Sequence, residues 1–231
     1  MKRFYDDVTL QETSGGWQVV LDDRAVKTQG ATPQIAPTQA LAEALAAEWK
    51  RQGETIDGRS FPLRDLTDFT LDRVATAADD TVGKTLAFAR TDTLCYRADP
   101  GTALSRQQNA LWEPLLTDFE GRENIALIRV ASIVHTEQPE ASIDALRSRL
   151  ETFSAFTLAG VFTLASLSAS MCIAMAALED GADAEMLWNA ANLEEDSQAE
   201  LWGRDAEAEA AREEKRAAFL KANEFLELLG R

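Results

Sequence analysis

Histidine and cysteine are almost missing from this sequence: His135, Cys95 and Cys172 are the whole supply, and the cysteines form no CxxC pair. A zinc cage of thiolates or imidazoles therefore lacks ligands, and a disulfide framework lacks bridges. No metal or cofactor is expected. Positive charge is scarce too, with 23 Lys and Arg against 39 Asp and Glu, a net charge of −16. Phosphate backbones are bound by clustered Lys and Arg that release counterions, so no nucleic-acid partner is expected. The opening Met1-Lys2-Arg3-Phe4-Tyr5-Asp6 lacks the apolar run of a signal peptide and the acid-free character of a transit peptide, which reads as a cytoplasmic protein.

Long hydrophobic runs are absent except for one. Thr152 to Leu178 contains no charged residue, a length that could span a bilayer. Its hydroxyls (Thr157, Thr163, Ser166, Ser168, Ser170), the interrupting Gly160 and the acidic close at Glu179-Asp180 argue against that, since neither an aromatic belt nor a basic flank follows it. The expected form is a helix buried in protein, with no stable membrane insertion.

What is present divides the chain in two. Val8 to Glu12 and Trp17 to Leu21 alternate around Ser14-Gly15-Gly16, a hairpin signal, and Ala25 to Thr28 offers a third strand. Thr38 stands where an N-cap belongs, ahead of a helix over Gln39–Gln52 with Leu41, Leu45 and Trp49 on one face and Gly53 at its end. Beyond Pro62 the period becomes 3.6. Leu63, Leu66, Phe69, Arg73 and Val74 fit one helix, Thr81–Arg90 a second, and Ala103–Glu120 a third that Pro114 should kink or restart. Ile125–Val134 is apolar and β-branched and takes no firm assignment. The expected architecture is α+β: a small strand-rich domain over 1–62 and a larger all-α domain over 63–231.

Few motifs promise chemistry. Val82-Gly83-Lys84-Thr85 resembles the tail of a phosphate loop, but Ala78 stands where the first glycine is needed and no strand leads in. His135 has no nucleophile elbow near it. The informative stretch is ADAEMLWNAANLEEDSQAELWG, from Ala182 to Gly203. Projected as one helix, it puts Leu187, Trp188, Ala191, Leu201 and Trp202 on a stripe centred near Gln198, flanked by Glu194 and Glu195. Carboxylates in an aromatic stripe are costly to bury unpaired. Either a basic group of the same chain neutralises them, or the stripe is partly open and awaits a partner. Asp92-Thr93-Leu94-Cys95-Tyr96-Arg97 is a second mixed patch, in which Asp92 and Tyr96 would support the site and Arg97 could be the internal counter-ion.

These pieces together resemble the F1-ATPase assembly chaperones that bind the alpha subunit. The likeness runs through Arg3-Phe4-Tyr5, Gly16 to Thr28, Glu48-Trp49 with Gln52, Asp72-Arg73-Val74, Thr91 to Ala98, Leu111 to Leu116 and Leu193 to Gln198 with Trp202-Gly203. It departs at Asp23, Ala25 and Gln29, where the family usually has Gly, Pro and Pro, and at Ser197, where it favours an aromatic residue. The resemblance implies a chaperone with no catalysis, a monomer when free, that shields the F1 alpha subunit of ATP synthase until the beta subunit replaces it. It places such a protein in the bacterial cytoplasm, or in the mitochondrial matrix for eukaryotic relatives. It also points to Glu195 as the carboxylate that matters, on a client-binding face with Glu194, Gln198, Trp202 and Trp188. The rival readings are an acidic helical enzyme with Glu195 as base, and a general interaction module unrelated to ATP synthase.

Overall fold

The computed structural model describes residues 1–131, 136–203 and 205–230, except for the side chains of Glu200 and Trp202. Strand β2 (Gly16–Leu21) is the centre of an antiparallel sheet. Strand β1 (Val8–Thr13) lies along one side of it, in a register running from Val8↔Leu21 to Thr13↔Gly16. Two short strands, β3 (Arg24–Ala25) and β4 (Ile35–Ala36), share the other side through Val20↔Ala25 and Trp17↔Ala36. Gly16 sits at the turn with φ +136°, and a Cβ there would fall 2.2 Å from the Ala36 carbonyl oxygen. The turn and the β4 crossing thus both depend on glycine.

Helix α1 (Gln39–Lys50) packs on this sheet, and its N-cap is Thr38, whose hydroxyl accepts from Leu41 N–H. Buried Glu48 on α1 accepts the Leu63 and Arg64 N–H groups, both at 2.9 Å, and so caps helix α2 (Pro62–Phe69). Burial raises the Glu48 pKa, and those two hydrogen bonds oppose the rise. The helix does not simply continue as the periodicity suggests. Thr70–Val74 forms a π-helical turn, closed by Ala75 N–H on the Thr70 carbonyl at 2.8 Å.

The helical region continues with α3 (Ala78–Arg90), α4 (Ala103–Glu123), α5 (Glu140–Leu150), α6 (Ala155–Ser168) and α7 (Met171–Ala176). It closes with α8 (Ala184–Ala191), α9 (Leu193–Trp202) and α10 (Ala206–Leu228). Helix α4 runs through Pro114 without restarting. Trp112, Leu116 and Phe119, all fully buried, anchor it on both sides of the proline.

Residues 152–178 are two helices rather than the single one expected. Ala169 adopts a left-handed conformation (φ +50°) between them, and the Ser170 hydroxyl caps α7 by accepting from Ile173 N–H. Helix α7 is buried and α6 buries most of its apolar side chains in the helical core, and no helix among the described residues is long and apolar enough to cross a membrane. Gly160 does not interrupt α6. It admits α10, because a Cβ there would lie 2.5 Å from Leu226.

Ile125–Arg129 takes no regular secondary structure, and Val130 pairs with the 95–97 segment through Val130 N–H to the Cys95 carbonyl (2.7 Å) and Arg97 N–H to the Val130 carbonyl (2.8 Å). The rest of that unassigned stretch, with His135 beyond it, lies outside the described residues. Two hydrophobic cores result. One joins the sheet, α1, Phe61 and Leu63, and receives Phe225 from α10; the other fills the helical region and receives Phe219, Ala222 and Leu226 from the same helix. Helix α10 therefore belongs to both.

Candidate functional site

The stretch treated above as one helix is broken. Buried Asn192 (φ −104°, ψ 12°) separates α8 from α9, and its side-chain amide donates to the Trp188 carbonyl at 2.8 Å. The projected stripe is split by this break. Leu187 and Trp188 turn into the core, whereas Leu201 is 77% exposed. Trp188 is fully buried against Phe219, with ring centroids 5.5 Å apart. It offers no surface to a client, and its part is to support α8 from beneath.

On α9 the polar residues divide among three environments. Glu194 is half-buried and accepts from Gln108 Nε2 at 2.5 Å, and burial raises its pKa. Asp196 pairs with Arg212 of α10 at 2.7 Å. Glu195 and Gln198 are exposed, and among the described residues neither side chain has a hydrogen-bond or ionic partner. With Leu201 they occupy successive turns of one face at a spacing of three. Trp202 ends the helix, and its side chain lies outside the described ones. Glu195 and Gln198 open onto a groove of about 630 Å³ between α9 and α10, which Arg212 and Lys215 line from the opposite side.

Arg97 is not the counter-ion of this face. It pairs with Glu113 at 2.8 Å, donates to the Leu94 carbonyl at 2.9 Å, and lies over the Trp112 ring at 5.5 Å. Arg129 joins the same cluster, bonding Glu113 at 2.8 Å and Glu120 at 2.5 Å. These carboxylates raise the Arg129 pKa, and Arg129 holds that of Glu120 below its ordinary range despite burial. Trp112 Nε1 donates to the Ala190 carbonyl at 2.7 Å, which ties α4 to α8.

Asp92 does not reach the site either. It is fully buried and accepts Leu94 N–H (3.0 Å), the Ser170 hydroxyl (2.8 Å) and Cys172 N–H (2.9 Å). Burial pushes its pKa up to about 6 and, together with the nearby Asp92 carboxylate, pushes the Cys95 thiol up to about 12. Both cysteines are buried and free, which suits inert core residues rather than nucleophiles.

Tyr96, Arg97 and Glu194 do come together, lining a cavity of about 580 Å³ beside α9. Gln108, which the sequence reading passed over, connects that cavity to the core. It is fully buried, accepts Ala98 N–H at 2.8 Å and donates to Glu194. Its position one helical turn before Trp112 was the available signal. No group of His, Cys, Asp and Glu among the described residues is arranged to hold a metal ion.

The comparisons with known proteins agree with this layout. The family described as ATP12 chaperone protein matches residues 2–120. Atp12 from Paracoccus denitrificans is 32% identical with a TM-score of 0.93, the match covering 99% of this chain and 98% of that one. An aspartate-to-lysine mutant of P. denitrificans Atp12p gives the same TM-score and identity, covering 99% of this chain and 97% of that one. The Atu1473 protein from Agrobacterium tumefaciens follows at 0.91 and 32%, covering 99% of this chain and 85% of that one. By sequence over half its length, and by fold over nearly all of it, the chain belongs to the ATP12 chaperone family.

Proposed function

We propose that this chaperone holds the unassembled alpha subunit of F1 ATP synthase through the exposed face of α9, and releases it to the beta subunit. The observation that carries this reading is Glu195: an exposed carboxylate with no partner among the described residues, one turn from Gln198 and two from exposed Leu201. A holding surface needs apolar area and a few directional polar anchors, and this face supplies both. The protein acts in this reading without catalysis or cofactor, in the compartment where F1 assembles.

The test is suppression of alpha-subunit aggregation, measured beside thermal unfolding for wild type, Glu195→Gln and Glu195→Lys. We expect both variants to melt as wild type does, and Glu195→Gln to weaken holding by about 2 kcal/mol, as for a desolvated charge anchor. Glu195→Lys should weaken it further by adding repulsion. Full suppression by Glu195→Lys would remove α9 from the interface. Assembled α3β3 heads, whose interfaces are already filled, should not bind, and calorimetry showing equal affinity for them would contradict release by replacement.

A further inference from the structure

The charge-free sequence of α6 is not wholly buried. Phe162, Thr163 and Leu167 are half-buried and Ser166 is exposed, because α2 and α10 flank that side of α6 without closing over it. The gap is a groove of about 440 Å³ with a predominantly apolar lining, within the range of about 300–1,000 Å³ typical of ligand sites. Its aromatic floor is Phe69 stacked on Phe162 at 5.9 Å, with Phe88 behind at 6.4 Å. Ser166 on α6 and Ala218 on α10, both exposed, stand on its walls.

The groove does not end blindly. Asp65 and Phe69 also line a second cleft, of about 630 Å³, where Asp65, Asp68 and Asp72 face one cation, Arg73. The π-helical turn at Thr70–Val74 brings this about, since it projects Asp72 back over the 28–30 loop. There Asp72 accepts the Thr28 hydroxyl at 2.7 Å and Gly30 N–H at 2.8 Å. The Thr28 hydrogen bond holds its pKa below the ordinary carboxylate range. Arg64, outside the cleft, pairs with Asp65 at 2.6 Å. Asp68 is buried and accepts Gln34 Nε2 at 2.5 Å and Gln29 N–H at 3.2 Å, which leaves the ionised, less buried Asp72 as the negative end of the cleft. On the far rim Lys221 is neutralised by Glu224 at 2.5 Å. The surface is therefore apolar at one end and anionic at the other.

We propose that this composite groove is a second client contact, taking a segment of the alpha subunit in which large apolar side chains are followed within about a helical turn by Lys or Arg. The occupant follows from charge complementarity: the apolar end excludes charge, and the carboxylate end of a chain already at −16 repels acidic segments. The proposal rests on the alpha subunit being the client, and adds an aromatic-floored groove to the small apolar area that Leu201 offers on α9. Such a groove would receive side chains that the mature F1 interface later buries, which explains why an assembly chaperone leaves an aromatic floor uncovered.

The experiment measures binding of labelled, isolated alpha subunit to wild type, Ser166→Arg, Ala218→Arg, Asp65→Lys and Glu195→Lys, with thermal unfolding of each. Ser166 and Ala218 are exposed on opposite walls, so a long charged side chain at either should block the groove without a cavity or a core clash. Expected is a loss of tenfold or more in affinity for both Arg variants, about threefold for Asp65→Lys, and unchanged melting. Wild-type affinity in both Arg variants, with Glu195→Lys impaired, would overturn the groove and leave α9 standing. Impaired Arg variants with an intact Glu195→Lys would do the reverse. A wild type that binds no alpha subunit sinks both. A shift from dimer to monomer in sedimentation for the Arg variants would assign the groove to a second copy of this chain and overturn the proposal.

Discussion

Segment 92–97 and helix α9 carry acidic residues that look equally conspicuous in the sequence, yet the structure uses them in opposite ways. Asp92 is fully buried, with three hydrogen bonds that stitch the end of α3 to the start of α7. Glu195 stands in solvent with none among the described residues. A carboxylate whose acceptor sites are filled by its own chain is spent on the fold. One left open on a helix face, between neighbours that are both engaged, is available to something else. Glu194 and Asp196 make the point locally, since Gln108 and Arg212 satisfy them and set Glu195 apart.

The contrast can be broken most severely at Asp92. Asp92→Ala would leave Leu94 N–H, the Ser170 hydroxyl and Cys172 N–H without their acceptor in a dry interior. A loss on the order of 3 kcal/mol is expected, which for a chain of this size lowers Tm by roughly 6–12 °C. Urea or thermal unfolding checks it, and a variant that keeps its stability while losing client would make Asp92 a site residue after all.

At the other end of the comparison, Glu195→Lys should leave Tm within about 2 °C of wild type. A larger drop would mean that Glu195 is satisfied within the chain. Leu201→Ser is the apolar counterpart. It should not lower stability, because the side chain is 77% exposed, and should reduce alpha-subunit holding by about 1 kcal/mol if that area is covered by the client.

The smallest expected effect is a pH signature that only the buried carboxylate can show. Asp92 is raised in the folded protein from 3.8 to about 6, so the folded state binds a proton that the unfolded state has already released. Its stabilising contribution is therefore full below about 3.8 and lost as pH rises through about 6. Taking the wild type from pH 7 to pH 5 should raise its stability relative to Asp92→Asn by about 1 kcal/mol. Parallel curves for the two proteins would show that Asp92 stays ionised throughout.

Several local features were legible in the sequence because their causes are local. The hairpin follows from alternation around Ser14-Gly15-Gly16, and α1 from Thr38 and the Leu41/Leu45/Trp49 spacing. The breaks were harder to see. Asn192 ends α8 because its amide finds the Trp188 carbonyl, and Ala169 parts α6 from α7 where Ser170 caps the next helix and bonds Asp92. Helix projection assumes that no side chain competes with the backbone, and at both places one does.

Composition and period by themselves determined the strand-first, helix-later order and the poverty in metal ligands, since each depends on composition or on residues near one another in the chain. Family-wide motifs could be quoted but not sorted. Arg3, Tyr5, Glu48 and Gln52 prove to be internal stitches, with Arg3 bonding the Gln52 carbonyl and Tyr5 the Trp49 carbonyl. Only the tertiary structure decided which groups of a motif are satisfied and which are left over. That depends on partners 16 to 86 residues away, such as Arg212 for Asp196 and Gln108 for Glu194. It also decided that Phe225 and Phe219, on one helix, would bind two cores together. Burial and pairing belong to the packed chain as a whole, and no local pattern encodes them.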